Sequence, residues 1–156
     1  MSREDAFFSL TVKDILKYKY PAPLIVYYHD TVDDLLSKCS ETVNRTTAYV
    51  VDKRKRLLGK IRLDVILQYF FYHTSDTDED MRTLLFGINP FRVEDLMQSG
   101  NGNVFAESRI NEVIKIMREQ NESALPVLNH DGEIVSEIYF SQILDAYEKI
   151  KYPSAV

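Results

Sequence analysis

The chain has 156 residues, a net charge of −5, 45% apolar and 28% charged residues, and a single cysteine. That length supports one domain, or two half-sized units sharing a core, and the composition excludes long disordered tails. The acidic balance excludes a general nucleic-acid binder, no apolar run reaches the roughly 18 residues of a membrane span, and a lone cysteine makes no internal disulfide.

The opening "MSREDAFFSL" is acidic early and lacks a long apolar core, so it does not read as a secretory signal, and a cytoplasmic location is expected. "SRED" has capping-box spacing and opens a short leading helix. "VKDIL" (12–16) follows, then the strand-like "LIVYY" (24–28). Asp30 then caps a helix whose Val32, Leu35, Leu36 and Cys39 share one face, which makes Cys39 a packing residue. "AYVVDKRKRLLGKIRLDVIL" (48–67) reads as strand, turn, strand and helix, with Asp64 as helix cap. Its "KRKR" (53–56) is either a solvated turn or a patch for phosphate or an acidic partner. "VILQYFFYH" (65–73) is apolar almost all round, so it is buried or forms an interface. "TDEDMRTLLFG" (77–87) is a capped linking helix; Asp76, Asp78, Glu79 and Asp80 either favour its N-terminus or bind a divalent cation.

Past the linker come "VEDLM" (93–97), the strand "NVFAE" (103–107), and Ser108 capping a helix with Ile110, Val113, Ile114 and Met117 on one face. "LPVLNHDGEIVSEIYFSQIL" (125–144) repeats strand, turn at Asp131–Gly132, strand and helix, with Ser141 opposite Asp64 as cap. The two 20-residue segments align without a gap and share Val50/Val127, Ile61/Ile138, Ile66/Ile143 and Leu67/Leu144. The offset falls from 81 (Val12 to Val93) through 78 (Asp30 to Ser108) to 77 (Val50 to Val127), as insertions in turns allow. The chain is thus one element order written twice. His29, His73 and His130 share no metal-like spacing with each other or with Cys39, and no catalytic motif occurs; neither a metal site nor an enzyme is expected.

These features resemble a tandem pair of CBS motifs, the cystathionine β-synthase-type repeat whose pairs form a Bateman module, here expected to be stand-alone. The resemblance rests on "VKDIL" and "VEDLM", on "LPVLNHDGEIV", and on "LLGKI" with "DVIL". It implies an α+β fold: two β-α-β-β-α motifs, 11–72 and 90–150, joined by a helical linker at 73–89, related by pseudo-two-fold symmetry and packed sheet against sheet in a single module over 1–156. It also implies inter-motif clefts that often hold an adenosine-containing ligand (AMP, ADP, ATP or S-adenosylmethionine), a homodimer, and regulation of a protein partner rather than catalysis. A phosphate at the short turn between each final strand and its helix agrees with elementary electrostatics.

Nucleotide-binding members write Gly, two apolar residues, Ser/Thr, two variable residues and Asp along this strand. Here Gly59 is in register, but Arg62 and Val65 replace the hydroxyl and the carboxylate; the second copy has Ser136, Tyr139 and Gln142. Arg62 either holds an anion or pairs with an acid. Asp64 caps or binds ribose. Tyr139 stacks on a base or packs, and Gln142 bonds ribose or is a first-turn helix residue. The candidate ligand residues are Val26, Thr47, Arg62, Asp64, Phe105, Ala124, Tyr139 and Gln142; the candidate dimer residues are Tyr69, Phe70, Tyr147 and Ile150. The expected function is small-ligand sensing, with a ligand-free dimerisation or docking module, or a Mg2+ sensor, as alternatives.

Overall fold

The computed structural model describes residues 1–17, 22–42, 45–64, 66, 92–100 and 102–153. Its elements are α1 (Arg3–Phe8), α2 (Val12–Ile15), β1 (Ile25–Tyr27), α3 (Val32–Ser40), β2 (Thr47–Val51), β3 (Leu57–Arg62), α4 (Val93–Leu96), β4 (Val104–Phe105), α5 (Ile110–Gln120), β5 (Ala124–Leu128), β6 (Ile134–Tyr139) and α6 (Phe140–Lys151). The fold is α+β with two three-stranded sheets, β1-β2-β3 and β4-β5-β6.

In each sheet the first strand lies parallel to the second, and the second is antiparallel to the third. A parallel neighbour needs a crossover, which α3 and α5 supply; an antiparallel one needs only a hairpin. The two hairpins agree pair for pair. Thr47 faces Arg62 as Ala124 faces Tyr139, and the ladder shifts at Val50/Val51 as at Val127/Leu128. In the turns, the side-chain oxygens of Asp52 and Asn129 accept from the backbone N–H groups of Arg54 and Arg56, and of Asp131 and Glu133. Gly132 takes the left-handed conformation at φ 81°, which glycine adopts freely; Lys55 takes it at φ 62°.

The described chain divides into two units, Leu24–Gly100 and Met1–Pro23 with Asn101–Val156. The sequence segments 11–72 and 90–150 therefore divide differently in space, because each lead-in helix is delivered to the other copy's unit. Val12 N–H donates to the Ser108 carbonyl and Val93 N–H to the Asp30 carbonyl, each at 2.9 Å. The helix caps are paired in the same crossed fashion, Thr11 with Arg109 and Thr31 with Arg92. Each unit has its own core. Leu35, Val26, Val50, Ile61 and Val93 are central to one; Phe7, Val12, Leu16, Ile110, Leu125 and Ile138 are central to the other.

The expected caps shift by one or more residues. Thr31 and Arg109, not Asp30 and Ser108, are the N-caps of α3 and α5. Asp30 and Ser108 instead close the preceding strand turn, accepting from the N–H of Tyr27 and Phe105 at 2.9 Å each. Asp64 and Ser141 are not caps either: the helices begin at Leu63 and Phe140, which places both inside the first turn. The strands end at Arg62 and Tyr139 and run straight into the helices, so each helix starts two residues before the expected one, and the backbone N–H of Leu63 and Phe140 closes onto the Thr46 and Ser123 carbonyls. The expected helix over 77–87, its acidic cluster, and nearly all of 65–73 lie outside the described residues.

Candidate functional site

Each hairpin runs its last strand directly into a helix, so the final ladder pair and the first helical turn share one place. In one unit this gathers Thr47, Arg62 and Asp64; in the other, Ala124, Tyr139 and Gln142. Thr47 and Ala124 are buried at the start of their strands. Six of the eight candidate ligand residues thus fall into two equivalent groups.

The other two stand elsewhere. Val26 is fully buried within its unit's core, so its side chain is a packing residue. Phe105 pairs with Leu128, at the end of β5 away from Ala124. Those ends are the two ends of a five-residue strand, four steps of ~3.3 Å or about 13 Å apart, so Phe105 does not join Tyr139 and Gln142.

Within the groups most polar side chains are already engaged. Arg62 donates from Nε and Nη2 to the Asp64 carboxylate, at 3.2 and 3.0 Å. Both groups are well exposed, so the pair adds little to stability. Gln142 Oε1 accepts from the Tyr139 backbone N–H at 2.8 Å, the reach-back half of a capping box. The Tyr139 hydroxyl donates to the Glu137 carboxylate. Sequence reading passed over Glu137 because alternation along β6 places it opposite Ile138 and outward. It is buried, and so is Ser136, which stands where Gly59 does. Val65 lies outside the described residues.

Of the candidate dimer residues, Tyr69 and Phe70 also lie outside them. Tyr147 and Ile150 are half-buried against their own unit's core. Tyr147 meets Phe7 of α1 edge-on at 5.5 Å, and both residues line an open groove with Arg3, Phe8 and Lys151. Cys39 is half-buried on its helix, and burial pushes its thiol up. No cluster of three or more metal-ligating side chains occurs among the described residues.

The family model of the CBS domain matches residues 93–149, from α4 through most of α6. This part of the chain is a CBS domain. The remainder repeats the same strand order and register, and the likeness to solved CBS proteins covers both halves. A CBS domain-containing protein of unknown function from Bacillus anthracis superposes with a TM-score of 0.72 at 17% identity, covering 94% of this chain and 98% of that one. CBSX2, solved in complex with AMP, gives 0.66 at 22%, covering 90% and 98%. The cytosolic domain of the Mg2+ channel MgtE, solved in complex with ATP, gives 0.61 at 21%, covering 81% of this chain and 45% of that one. At these identities the likeness carries the fold, which is that of CBS proteins and consistent with a tandem CBS module. No curated protein sequence matches significantly. Among the described residues no helix is long and apolar enough to cross a membrane.

Proposed function

We propose that the chain is a regulatory CBS module that senses an adenosine-containing ligand (AMP, ADP, ATP or S-adenosylmethionine) and passes the binding event, as a cytoplasmic homodimer, to a protein partner. CBS-domain proteins are commonly regulatory ligand sensors rather than catalysts, and two structural relatives were solved with AMP and ATP. The observation that carries the reading is the junction of β6 and α6. A strand ends there against the N-terminus of a 12-residue helix, inside the matched CBS segment, beside Tyr139 and Gln142. The positive end of the helix favours a phosphate, and Tyr139 offers a ring to a purine.

A second reading, a ligand-free dimerisation or docking module, is favoured by one specific observation. Arg62, Tyr139 and Gln142 are held by partners within the chain, and the family's hydroxyl–carboxylate pair is replaced in both copies. A Mg2+ sensor based on the acidic 76–80 stretch is a third.

Thermal unfolding with AMP, ADP, ATP, S-adenosylmethionine and Mg2+ separates them. A ligand at 100 times its dissociation constant stabilises by about 2.7 kcal/mol, a shift of several degrees. A concentration-dependent rise with an adenosine compound, reduced at least about tenfold in affinity by Tyr139→Ala with Gln142→Ala, supports sensing. No shift at millimolar nucleotide from folded protein sinks it, and a rise with Mg2+ alone selects the third reading.

A further inference from the structure

The other end of the first sheet holds a pocket that the nucleotide reading does not use. It encloses about 590 Å3, bounded by Tyr27, Tyr28 and His29 where β1 ends and by Lys53, Arg54 and Arg56 of the turn. That volume lies within the roughly 300–1,000 Å3 of small-molecule sites. The parallel register sets Tyr27 against Val51, one residue ahead of the turn, so aromatic and basic groups meet there.

The turn's charges are not cancelled. Asp52 accepts from Arg54 N–H, Arg56 N–H and the Arg56 guanidinium at 2.8, 3.0 and 2.8 Å. Partial burial opposes its ionisation, but these donors outweigh burial and hold it below the usual carboxylate range. That leaves Arg56 paired. Lys53 and Arg54 are exposed, and their side chains make no ion pair among the described residues. Near the pocket, the Glu94 carboxylate beside Tyr28 pushes the phenol above its ordinary value. Lys38 sits 5.4 Å over the Tyr27 ring but does not line the pocket.

In the second copy the chain sets one of its own rings at the equivalent place. Phe105 stands for Tyr27 and His130 for Lys53, and the imidazole lies stacked on the phenyl ring, centroids 5.6 Å apart and planes 14° from parallel. Glu107 comes within 3.7 Å of His130 Nε2. Asp131 and Glu133 replace Arg54 and Arg56. One turn is acidic and capped by its own ring; the other is basic and open.

We infer that the open pocket binds a small anion built on a planar ring, an aromatic phosphate, with its ring on Tyr27 as His130 lies on Phe105 and its phosphate between Lys53 and Arg54. Arginine and lysine suit a phosphate, and a tyrosine face suits the ring. The site is separate from the helix junctions, so neither reading depends on the other.

The test is a titration of the full chain with phenyl phosphate and with inorganic phosphate, followed by amide chemical shifts. Phenyl phosphate is expected to move the amides of 27–29 and 51–56. Its affinity should fall at least about tenfold in the Lys53→Glu, Arg54→Glu double variant, and fall as salt shortens the Debye length below about 8 Å. Inorganic phosphate should bind several-fold more weakly. A Lys53→Gln, Arg54→Gln variant, with its fold checked by melting temperature, serves if charge reversal unfolds the chain. Absence of shifts at the turn, shifts confined to the helix junctions, or unchanged affinity in the folded double variant overturns the site. Equal affinity for the two probes overturns the ring contact.

Discussion

Thr31 and Asp34 hold each other from both ends of one helical turn. The Thr31 hydroxyl accepts from Asp34 N–H at 3.2 Å, and the Asp34 carboxylate accepts from Thr31 N–H at 3.0 Å. Ser2 with Asp5 and Thr11 with Asp14 do the same for α1 and α2. Each carboxyl is thereby held below its ordinary value of 3.8: Asp34 and Asp14 chiefly by the backbone N–H of Thr31 and Thr11, Asp5 chiefly by the Ser2 hydroxyl. A depressed carboxyl contributes stability that is whole above its unfolded pKa and is lost as pH falls through the folded one. Denaturant unfolding should therefore give constant cap stability from neutral pH down to about 5 and a decline below about 4. Thr31→Ala should cost about 1 kcal/mol at pH 7, and progressively less as pH falls through the lowered folded value of Asp34. An equal cost at pH 7 and pH 3 would show that the box contributes nothing through its charge.

At the scale of elements, the clearest case is Gly59. A Cβ there would meet Met97 Cγ at 2.5 Å and the Gln98 carbonyl oxygen at 2.7 Å, because the chain after α4 runs beside β3 and bonds Lys60 through Gln98 in both directions. Backbone cannot swing aside as a side chain does, so Gly59→Ala should cost roughly 1–3 kcal/mol, read as a lower denaturation midpoint with an unchanged slope. Much of this element layer was legible in the sequence. The hairpins showed in alternating apolar residues and their turn signals, and α3 and α5 in three- and four-residue spacing. The exchange of α2 and α4 between units was not, since spacing along a chain says nothing about which sheet a short helix joins. The caps were misplaced by a residue because Asp30 and Ser108 are good cap types whose oxygens were taken by the turn before. The site was half legible. The pairing of Thr47 with Arg62 and Ala124 with Tyr139 follows from the hairpins. Phe105, also a candidate ligand residue, stands at the opposite end of its sheet.

For the whole molecule, the unit holding most of the CBS match is completed by residues from the other end of the chain. Phe7, Val12 and Leu16 are buried in its core, and Arg3 donates to the Lys151 carbonyl at 2.9 Å. Burying each apolar side chain is worth about 1.5–3 kcal/mol, so removing residues 1–17 costs most of a small unit's stability. Hydrogen exchange on that truncation should show β5 and β6 losing protection while β2 and β3 keep it. Protection retained in both sheets would mean the N-terminal helices are dispensable.

That construction sets an order of events during synthesis. Leu24–Gly100 is one uninterrupted stretch, and all of it has been made while the chain that completes the other unit is still being translated. Residues 1–23 are thus made before Leu24–Gly100 yet find their place after it. Until then Phe7, Val12 and Leu16 travel exposed, an adhesive patch on a nascent chain. Their sheet partners arrive only with the last third of the sequence.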